Sequence, residues 1–375
     1  MKKGMIIGII LIVIGVVGYF VLLPTKITSE KEVIKIGAVL PLTGDLGNPG
    51  NRILNGILLA KEEVDTSKFS IKLYPEDSKS NSTESSKAIM KLIDFNKVSF
   101  VIGGMLSSTT ITMNKIANTK QIILISPTAS SPYLSKAGDY FFRVWPSDKS
   151  DAEISAKYCF NELSLESMAI VYWNNDYGVG LKDQFMEVFQ ALGGKIIKTF
   201  GYGNDISDFK TIINNLKQEN IKGVYLPGIP PTNALLIKQA KELNLNAIFF
   251  SNLSAQEADF RKLAGDAIEG VYFTNLNIDP NLFNNSEFFN TYVSRFDESP
   301  DIQSLKGYES MKLILESVSN GYSTPKAFMK FIDSVGTFNF FSDTLQFSKT
   351  GDAKVKYSIN KYIAGEIVTI TTAIY

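Results

Sequence analysis

A chain of 375 residues with 45% hydrophobic and 20% charged side chains is long enough for two domains and apolar enough for sizeable cores. Lys plus Arg and Asp plus Glu both number 38, so no net charge draws the chain to nucleic acid. Histidine is absent and Cys159 is the only cysteine, which excludes Ser-His-Asp and Cys-His nucleophile systems, histidine-bearing zinc sites, thiolate clusters and any intramolecular disulfide.

Lys2 and Lys3 precede an unbroken apolar run of 19 residues, Met5–Leu23. As a helix it spans about 28 Å, close to the thickness of a hydrocarbon core. The run reads either as a cleaved signal peptide or as an uncleaved anchor with its lysines on the cytoplasmic side. Its length and the lack of a small-x-small cleavage site favour the anchor. Either reading places the remainder outside the cytoplasm, in the periplasm or at the cell surface. No cysteine occurs near the run, so a lipid anchor there is not expected. Residues 24–33 read as a polar tether.

Ile34–Leu40 is the first expected strand, followed by a Gly/Pro-rich loop to Gly50. Ile53, Ile57, Ala60 and Val64 share one helical face. Phe69–Pro75 is a second strand and Asn81–Phe95 a second helix. Val98–Ile102 and Gln121–Ile125 are short β-branched runs that fit buried strands. Each runs into a hydroxyl-rich turn, Ser107–Thr110 and Ser126–Ser131, and the first of these opens a helix. In open α/β sheets ligands bind at the carboxyl ends of strands, and a helix N-terminus favours an anion. The pair of turns therefore makes a cradle for a small polar or carboxylate-bearing molecule. Ordinary capping and turn chemistry accounts for the same residues equally well.

After Phe141–Asp148 the pattern restarts. Cys159 falls among apolar helical positions and reads as a buried small hydrophobe. Strands are expected at Met168–Trp173, Lys195–Phe200, Gly223–Leu226 and Ala247–Phe250, with helices between them. One carries Leu181, Phe185, Val188, Phe189 and Leu192 on a single face. Phe338–Lys349 reads as aromatic and irregular, and Val355–Ile359 with Glu366–Thr372 as a closing hairpin. The fold class is α/β: two doubly wound, Rossmann-like parallel-sheet lobes joined by a multi-strand hinge, preceded by an N-terminal hydrophobic helix. No G-x-G-x-x-G follows the first strand, and there is no G-x-S-x-G elbow and no P-loop, so an enzyme is not expected. Asp77, Asp176 and Asp205 are scattered over loops with nothing to pair them. No cofactor and no metal site is expected.

Several segments, in order, resemble the periplasmic branched-chain amino-acid binding proteins, which are solute receptors of ABC transporters with the type I periplasmic-binding-protein fold. They are IKIGAVLPLTG at Ile34–Gly44, GGMLSSTTITMNKIANTKQIILISPTASSP at Gly103–Pro132, FFRVWPSD at Phe141–Asp148, WNNDYGVGL at Trp173–Leu181 and LAGDAIEGVYFTN at Leu263–Asn275. The likeness runs from Ile34 almost to the C-terminus. It implies that residues 34–145 with 276–345 form one lobe and 146–275 with 346–375 the other, after an N-terminal segment 1–33.

The resemblance also implies which residues meet the ligand. From the first lobe these are Leu106, Ser107, Ser108, Thr128, Ala129 and Ser130. Ser107 and Ser130 would donate to an anionic group, and the Thr128 carbonyl would accept from a ligand donor. From the second lobe the candidates are Tyr177, Ile229, Pro230, Asn252 and Leu253. Tyr177 matches an aromatic that covers the ligand in relatives. Tyr308 opens a helix that faces the cleft in relatives, and plain helix packing explains it equally well.

Two departures stand out. Leu253 occupies the position of the acid that neutralises the ligand's ammonium in amino-acid-binding relatives, while Glu257 is expected only to begin the next helix. Ile229 or Pro230 replaces a tyrosine. A buried ammonium without a counter-charge is costly, so a small carboxylate, amide or more apolar acid is expected in place of an α-amino acid held in the usual way.

The expected function is that of an extracytoplasmic receptor of an ABC importer, closing two lobes over an amino acid, amide or small organic acid. Its partners would be ABC permease subunits and the membrane, through the N-terminal segment. The alternative is a membrane-tethered ligand-sensing ectodomain. The short stub Met1–Lys3 cannot signal alone, so that alternative needs a partner protein.

Overall fold

The computed structural model describes residues 31–276, 283–340 and 344–374. The apolar run at residues 5–23, expected to form the N-terminal helix, lies outside the described residues. Among those described, no helix is long and apolar enough to cross a membrane.

The chain opens with β1 (Glu32–Leu40), α1 (Gly47–Glu63), β2 (Phe69–Asp77), α2 (Ser82–Lys91), β3 (Phe100–Gly103), α3 (Ser107–Lys120), β4 (Ile123–Ser126) and β5 (Phe141–Pro146). It crosses into α4 (Asp148–Asn161), β6 (Ser167–Trp173), α5 (Asp176–Ala191), β7 (Lys195–Tyr202), α6 (Lys210–Gln218) and β8 (Gly223–Leu226). That half continues with α7 (Pro230–Glu242), β9 (Ile248–Ser251), α8 (Ala258–Ala264) and β10 (Tyr272–Leu276). Next come α9 (Glu287–Phe296), α10 (Ile302–Ser319), α11 (Pro325–Val335), β11 (Thr337–Asn339), β12 (Thr344–Phe347) and β13 (Asp352–Lys354). The chain closes with β14 (Lys356–Ile363) and β15 (Glu366–Ile374).

These strands make two sheets, ordered β11-β12-β13-β5-β4-β3-β1-β2 and β15-β14-β10-β9-β8-β6-β7. In each, the first five strands pair in parallel in the same doubly wound order, with the first strand flanked by the second and third. That topology places the switch point beside β1 in one sheet and beside β6 in the other, where a crevice opens at the strand carboxyl ends. The central strands are buried on both faces, which is why they read as continuous apolar runs and not as alternations.

The return of the chain to the first sheet is fixed by a close helix crossing. A Cβ on Gly56 of α1 would come within 1.9 Å of the Ser304 carbonyl oxygen, and one on Gly307 of α10 within 2.2 Å of that of Ile53. Only glycine lets the two backbones approach so closely. Around the crossing, Ile53, Ile57, Leu305, Tyr308 and Met311 are fully or almost fully buried in the first core.

Two expectations change here. The segment Phe338–Lys349 is not irregular throughout, since β11 and β12 pair antiparallel within it. Nor does the chain change sheets between residues 345 and 346. β12 spans that point, and β13 pairs with β5 through Asp352 and Ala353. The change falls at Val355, between β13 and β14. A buried ion pair secures this edge: Arg143 of β5 is fully buried and its Nε donates to Asp352 Oδ1 of β13 at 2.6 Å. The sequence could not foresee it, because the partners lie 209 residues apart. Cys159 is fully buried, as its helical pattern suggests, and burial pushes its thiol up.

Candidate ligand cleft between the two sheets

Between the two sheets lies a cavity of about 780 Å³. One wall is built from the hydroxyl-rich turns after β3 and β4. Thr109 and Thr110 both turn their hydroxyls back to the Leu106 carbonyl, each at 2.8 Å. No side chain caps α3, so its first N–H groups stay open toward Leu106, Ser107 and Ser108, which line the cleft. The second turn is locked to the first. The Ser126 hydroxyl donates to the Gly104 carbonyl at 2.8 Å, Thr128 Oγ1 to the Met105 carbonyl at 3.2 Å, and the Ser131 N–H to Ser107 Oγ at 3.2 Å. Arg143 supports the turn from beneath, donating from Nη1 to the Ala129 and Ser131 carbonyls at 3.2 and 3.0 Å. The wall is therefore a rigid set of hydroxyls and backbone donors at a helix N-terminus, a setting that accepts an anion.

The opposite wall comes from the second sheet and the first crossing. Tyr177 lies in the first turn of α5, whose N-cap Asn175 accepts from the Gly178 N–H. Burial holds the Tyr177 phenol well above its ordinary range, and the nearby Asp148 and Asp151 add to this. Ile229 caps α7 and Leu253 follows β9, and both line the cleft. Trp145 at the crossing and Trp173 at the end of β6, the only two tryptophans of the chain, line it as well. Trp173 Nε1 donates to Asn204 Oδ1 at 2.6 Å, which fixes its ring.

Carboxyl groups surround the cleft. Asp148, Glu257, Asp259 and Asp301 all line it, against a single cation among the described residues, Arg52. Arg52 is already engaged, its Nη1 bonding Asp301 at 3.3 Å and its Nη2 lying 3.5 Å from Glu298. Asp148 is 2% exposed and its N–H donates to the Ser130 carbonyl at 2.8 Å. Its Oδ2 has no hydrogen-bond partner among the described residues. Burial, and after it the neighbouring Asp151, push its carboxyl up to about 8, against the pull of the Ser130 hydroxyl and Arg143. Asp151 is buried beneath and fully engaged. It accepts from Thr274 Oγ1 at 2.7 Å, from the Leu253 N–H at 3.2 Å and from Ser155 Oγ at 3.2 Å, tying α4 to β10 and to the Leu253 turn.

Of the expected contacts, the structure gathers Leu106, Ser107, Ser108, Thr128, Ser130, Tyr177, Ile229 and Leu253 around one cavity. Four others stand elsewhere. Ala129 is buried behind the turn, at 1% exposure. Pro230 is buried at the start of α7. Asn252 is fully buried and acts through its neighbours, donating to the Tyr177 hydroxyl and to the Gly228 carbonyl. Tyr308 belongs to the first core, not the cleft: its ring packs on Phe288 at 5.0 Å and its hydroxyl donates to Glu63. Its place on a helix buried along almost its whole length decides this.

The expected lack of a counter-charge is also corrected. Glu257 does precede α8, but it lines the cleft as an exposed residue, and partial desolvation there with the nearby Asp259 and Asp301 pushes its carboxyl up to about 7. Leu253 removes one acid from the floor, yet Asp148, Asp301 and the Glu257–Asp259 stretch bring acids from three places to the same cavity. The missed residues left one usable signal, that both rare tryptophans fall within recognisable segments, FFRVWPSD and WNNDYGVGL.

Two doubly wound sheets with three chain crossings and a polar cleft at their strand ends define a two-lobed binding protein of the α/β class. The match to the family of periplasmic binding proteins extends over residues 33–362, and the chain belongs to that family. Its kin are of the branched-chain amino-acid type. It is 27% identical over 247 residues to the Leu/Ile/Val-binding protein BraC3 of Rhizobium johnstonii, covering 64% of this chain and 67% of that one. It is 23% identical over 334 residues to the leucine-, isoleucine-, valine-, threonine- and alanine-binding protein of Pseudomonas aeruginosa, covering 86% and 88%. Among solved structures, the leucine-binding protein LivK of Thermotoga maritima superposes with a TM-score of 0.79 at 23% identity, over 91% of this chain and 99% of that one. A solute-binding protein of an ABC transporter from R. palustris, in complex with benzoate, superposes at 0.76 with 18% identity, over 91% and 96%.

Proposed function

We propose that the protein is an extracytoplasmic solute-binding receptor of an ABC importer, whose two lobes close over a small polar ligand bearing a carboxylate, such as an amino acid. The observation that carries this reading is the single cavity lined from both lobes, with the uncapped N-terminus of α3 and its serines on one side and Tyr177 on the other. A ligand carboxylate seated at Ser107 and Ser108 meets backbone donors and the helix dipole together. Ser130 and the Thr128 carbonyl serve its neighbouring polar groups, while Tyr177, held by Asn252, closes over the apolar part. One lobe comprises residues 32–146 with 283–354, the other 147–276 with 356–374, and the three crossings serve as the hinge. The names of the relatives, binders of leucine, isoleucine and valine, support the amino-acid reading. The benzoate complex of a structural neighbour supports a carboxylate at the anion seat.

Thermal unfolding against amino acids, amides and aromatic acids tests this. A true ligand at 100 times its dissociation constant adds about 2.7 kcal/mol and raises the midpoint by a few degrees. No shift with any solute, together with no permease subunits recovered in a pull-down, contradicts the reading.

A further inference from the structure

The receptor reading leaves the chemistry of the ligand's far end open, and the cleft constrains it. Resting on that reading, we infer that the ligand is a solute of net positive charge, whose cationic nitrogen sits away from the α3 seat, among the carboxyls and aromatic rings of the opposite wall.

Three independent observations carry this. The first is charge: of the four carboxyl side chains that line the cavity, Asp301 is paired with Arg52, the one guanidinium among the described lining residues, which leaves Asp148, Glu257 and Asp259 without an ion-pair partner there. Asp259 and Asp301 both raise the Glu257 carboxyl, so the field at Glu257 is negative. A net anion meets repulsion over most of this surface, whereas a cation is drawn in.

The second is Asp148, which lines the cavity almost wholly buried with Oδ2 unpaired. A buried acceptor left without a partner costs free energy that a ligand N–H recovers on binding. The groups around it offer no cation to spare. Asp151, Tyr177, Tyr225 and Tyr357 are acids, and the Arg143 guanidinium is occupied by Asp352 and the carbonyls of the Ser126–Ser131 turn.

The third is the aromatic lining. Trp145, Trp173 and Tyr177 bound the same space, and aromatic faces attract a cation, tryptophan most strongly. A branched aliphatic side chain uses the rings but none of the charge. An alkylammonium or guanidinium end uses both.

Equilibrium titration of the full chain tests the inference with five probes: L-arginine, L-lysine, agmatine, L-leucine and benzoate. The expected result is that at least one of the first three binds tenfold or more tightly than leucine and benzoate. That binding weakens as salt rises. Glu257→Gln reduces the cationic probe's affinity about tenfold and leaves leucine's nearly unchanged. Asp148→Asn serves as a second variant that keeps the shape and leaves no carboxyl to ionise beside a bound cation. If leucine or benzoate binds as tightly as every cationic probe, the assignment of charge is overturned while the receptor reading stands. If a cationic probe binds but neither variant weakens it, the assignment is overturned as well. If none of the five binds, the assignment of charge is overturned, and the receptor reading falls with it only when the wider solute panel and the permease pull-down are negative too.

Discussion

The two walls of the cleft are made in different ways. The first-lobe wall is built on two turns, Gly104–Thr110 and Ser126–Ser131, knitted together by hydrogen bonds among their own residues, with the paired Arg52 and Asp301 beside them. The facing wall is collected from separate places: the first crossing at Trp145 and Asp148, the end of β6, the start of α5, and the turns at Ile229 and Leu253–Asp259. One wall is hydroxyl and amide with no net charge, and the other is aromatic and acidic. The contrast teaches that a generic anion seat can be written in one contiguous stretch, whereas the part of the site that selects a ligand is distributed over many.

The largest effect expected from breaking this contrast comes from beneath the first wall. Arg143→Ala leaves Asp352 and the carbonyls of Ala129 and Ser131 buried without their donor. Losing one partner of a buried ion pair costs about 4 kcal/mol, so urea unfolding of the variant should show its midpoint fall sharply. An unchanged midpoint would mean that the turn carries its own rigidity.

Next comes the facing wall. The Asp148 carboxyl stands at about 8 in the folded protein, above its ordinary 3.8. The folded state therefore keeps a proton that the unfolded chain has already lost. The ligand-free protein is most stable below about pH 4 on this account and loses stability as pH climbs toward 8, by at most about 1.4 kcal/mol per unit. Asp151, raised to about 6, adds to the loss only up to that pH. Denaturant titrations at pH 6, 7 and 8 should show a falling stability in the parent and a much shallower fall in Asp148→Asn. Parallel slopes in the two proteins would show that Asp148 does not titrate in this window.

A smaller effect is expected at the anion seat. Ser107→Ala removes one hydroxyl from the seat and the acceptor for the Ser131 N–H, about 1 kcal/mol or a fivefold loss in ligand affinity. Calorimetric titration would measure it. An affinity unaltered by the change would move the seat elsewhere.

The smallest effect joins the lobes themselves. The Tyr133 hydroxyl donates to Asp183 Oδ2 at 2.7 Å across the cleft's flank, and Ser131 Oγ donates to the Asp176 carbonyl at 3.0 Å. Asp183 also pushes the phenol up to about 12, so the bond persists through neutral pH. Tyr133→Phe should weaken ligand affinity about twofold, since an exposed charge-assisted bond contributes about 0.5 kcal/mol. A gain in affinity would mean that the bond holds the lobes apart.

The fold was legible because its signals are local. Short apolar runs ending in Gly, Pro or Ser mark parallel strands, and their alternation with helical faces predicts both doubly wound sheets. The first wall was legible for the same reason, since Ser107, Ser108, Thr128 and Ser130 fall at strand ends in one stretch. The facing wall was not. Nothing local in Asp148 or Glu257 says that they share a cavity with each other, or with Asp301 of the first lobe, because only the folded hinge brings the first crossing, the α8 cap and the α10 cap together. Tyr308 misled for a different reason. Only the likeness to relatives, in which its helix faces the cleft, places it there, with helix packing an equal alternative, and the Gly56–Gly307 crossing draws α10 inward and buries the ring. The change of sheet at Val355 was hidden because Arg143 and Asp352 are far apart in the chain.

The account rests on both walls acting on one ligand, and one measurement addresses that directly. A solute found to bind the full chain would be titrated into the parent, into Ser107→Ala/Ser130→Ala and into Glu257→Gln. One-to-one binding in the parent, with about tenfold loss in the serine double variant and again in Glu257→Gln, is the predicted result. Binding left intact by both variants would place the ligand outside the cleft and contradict the account.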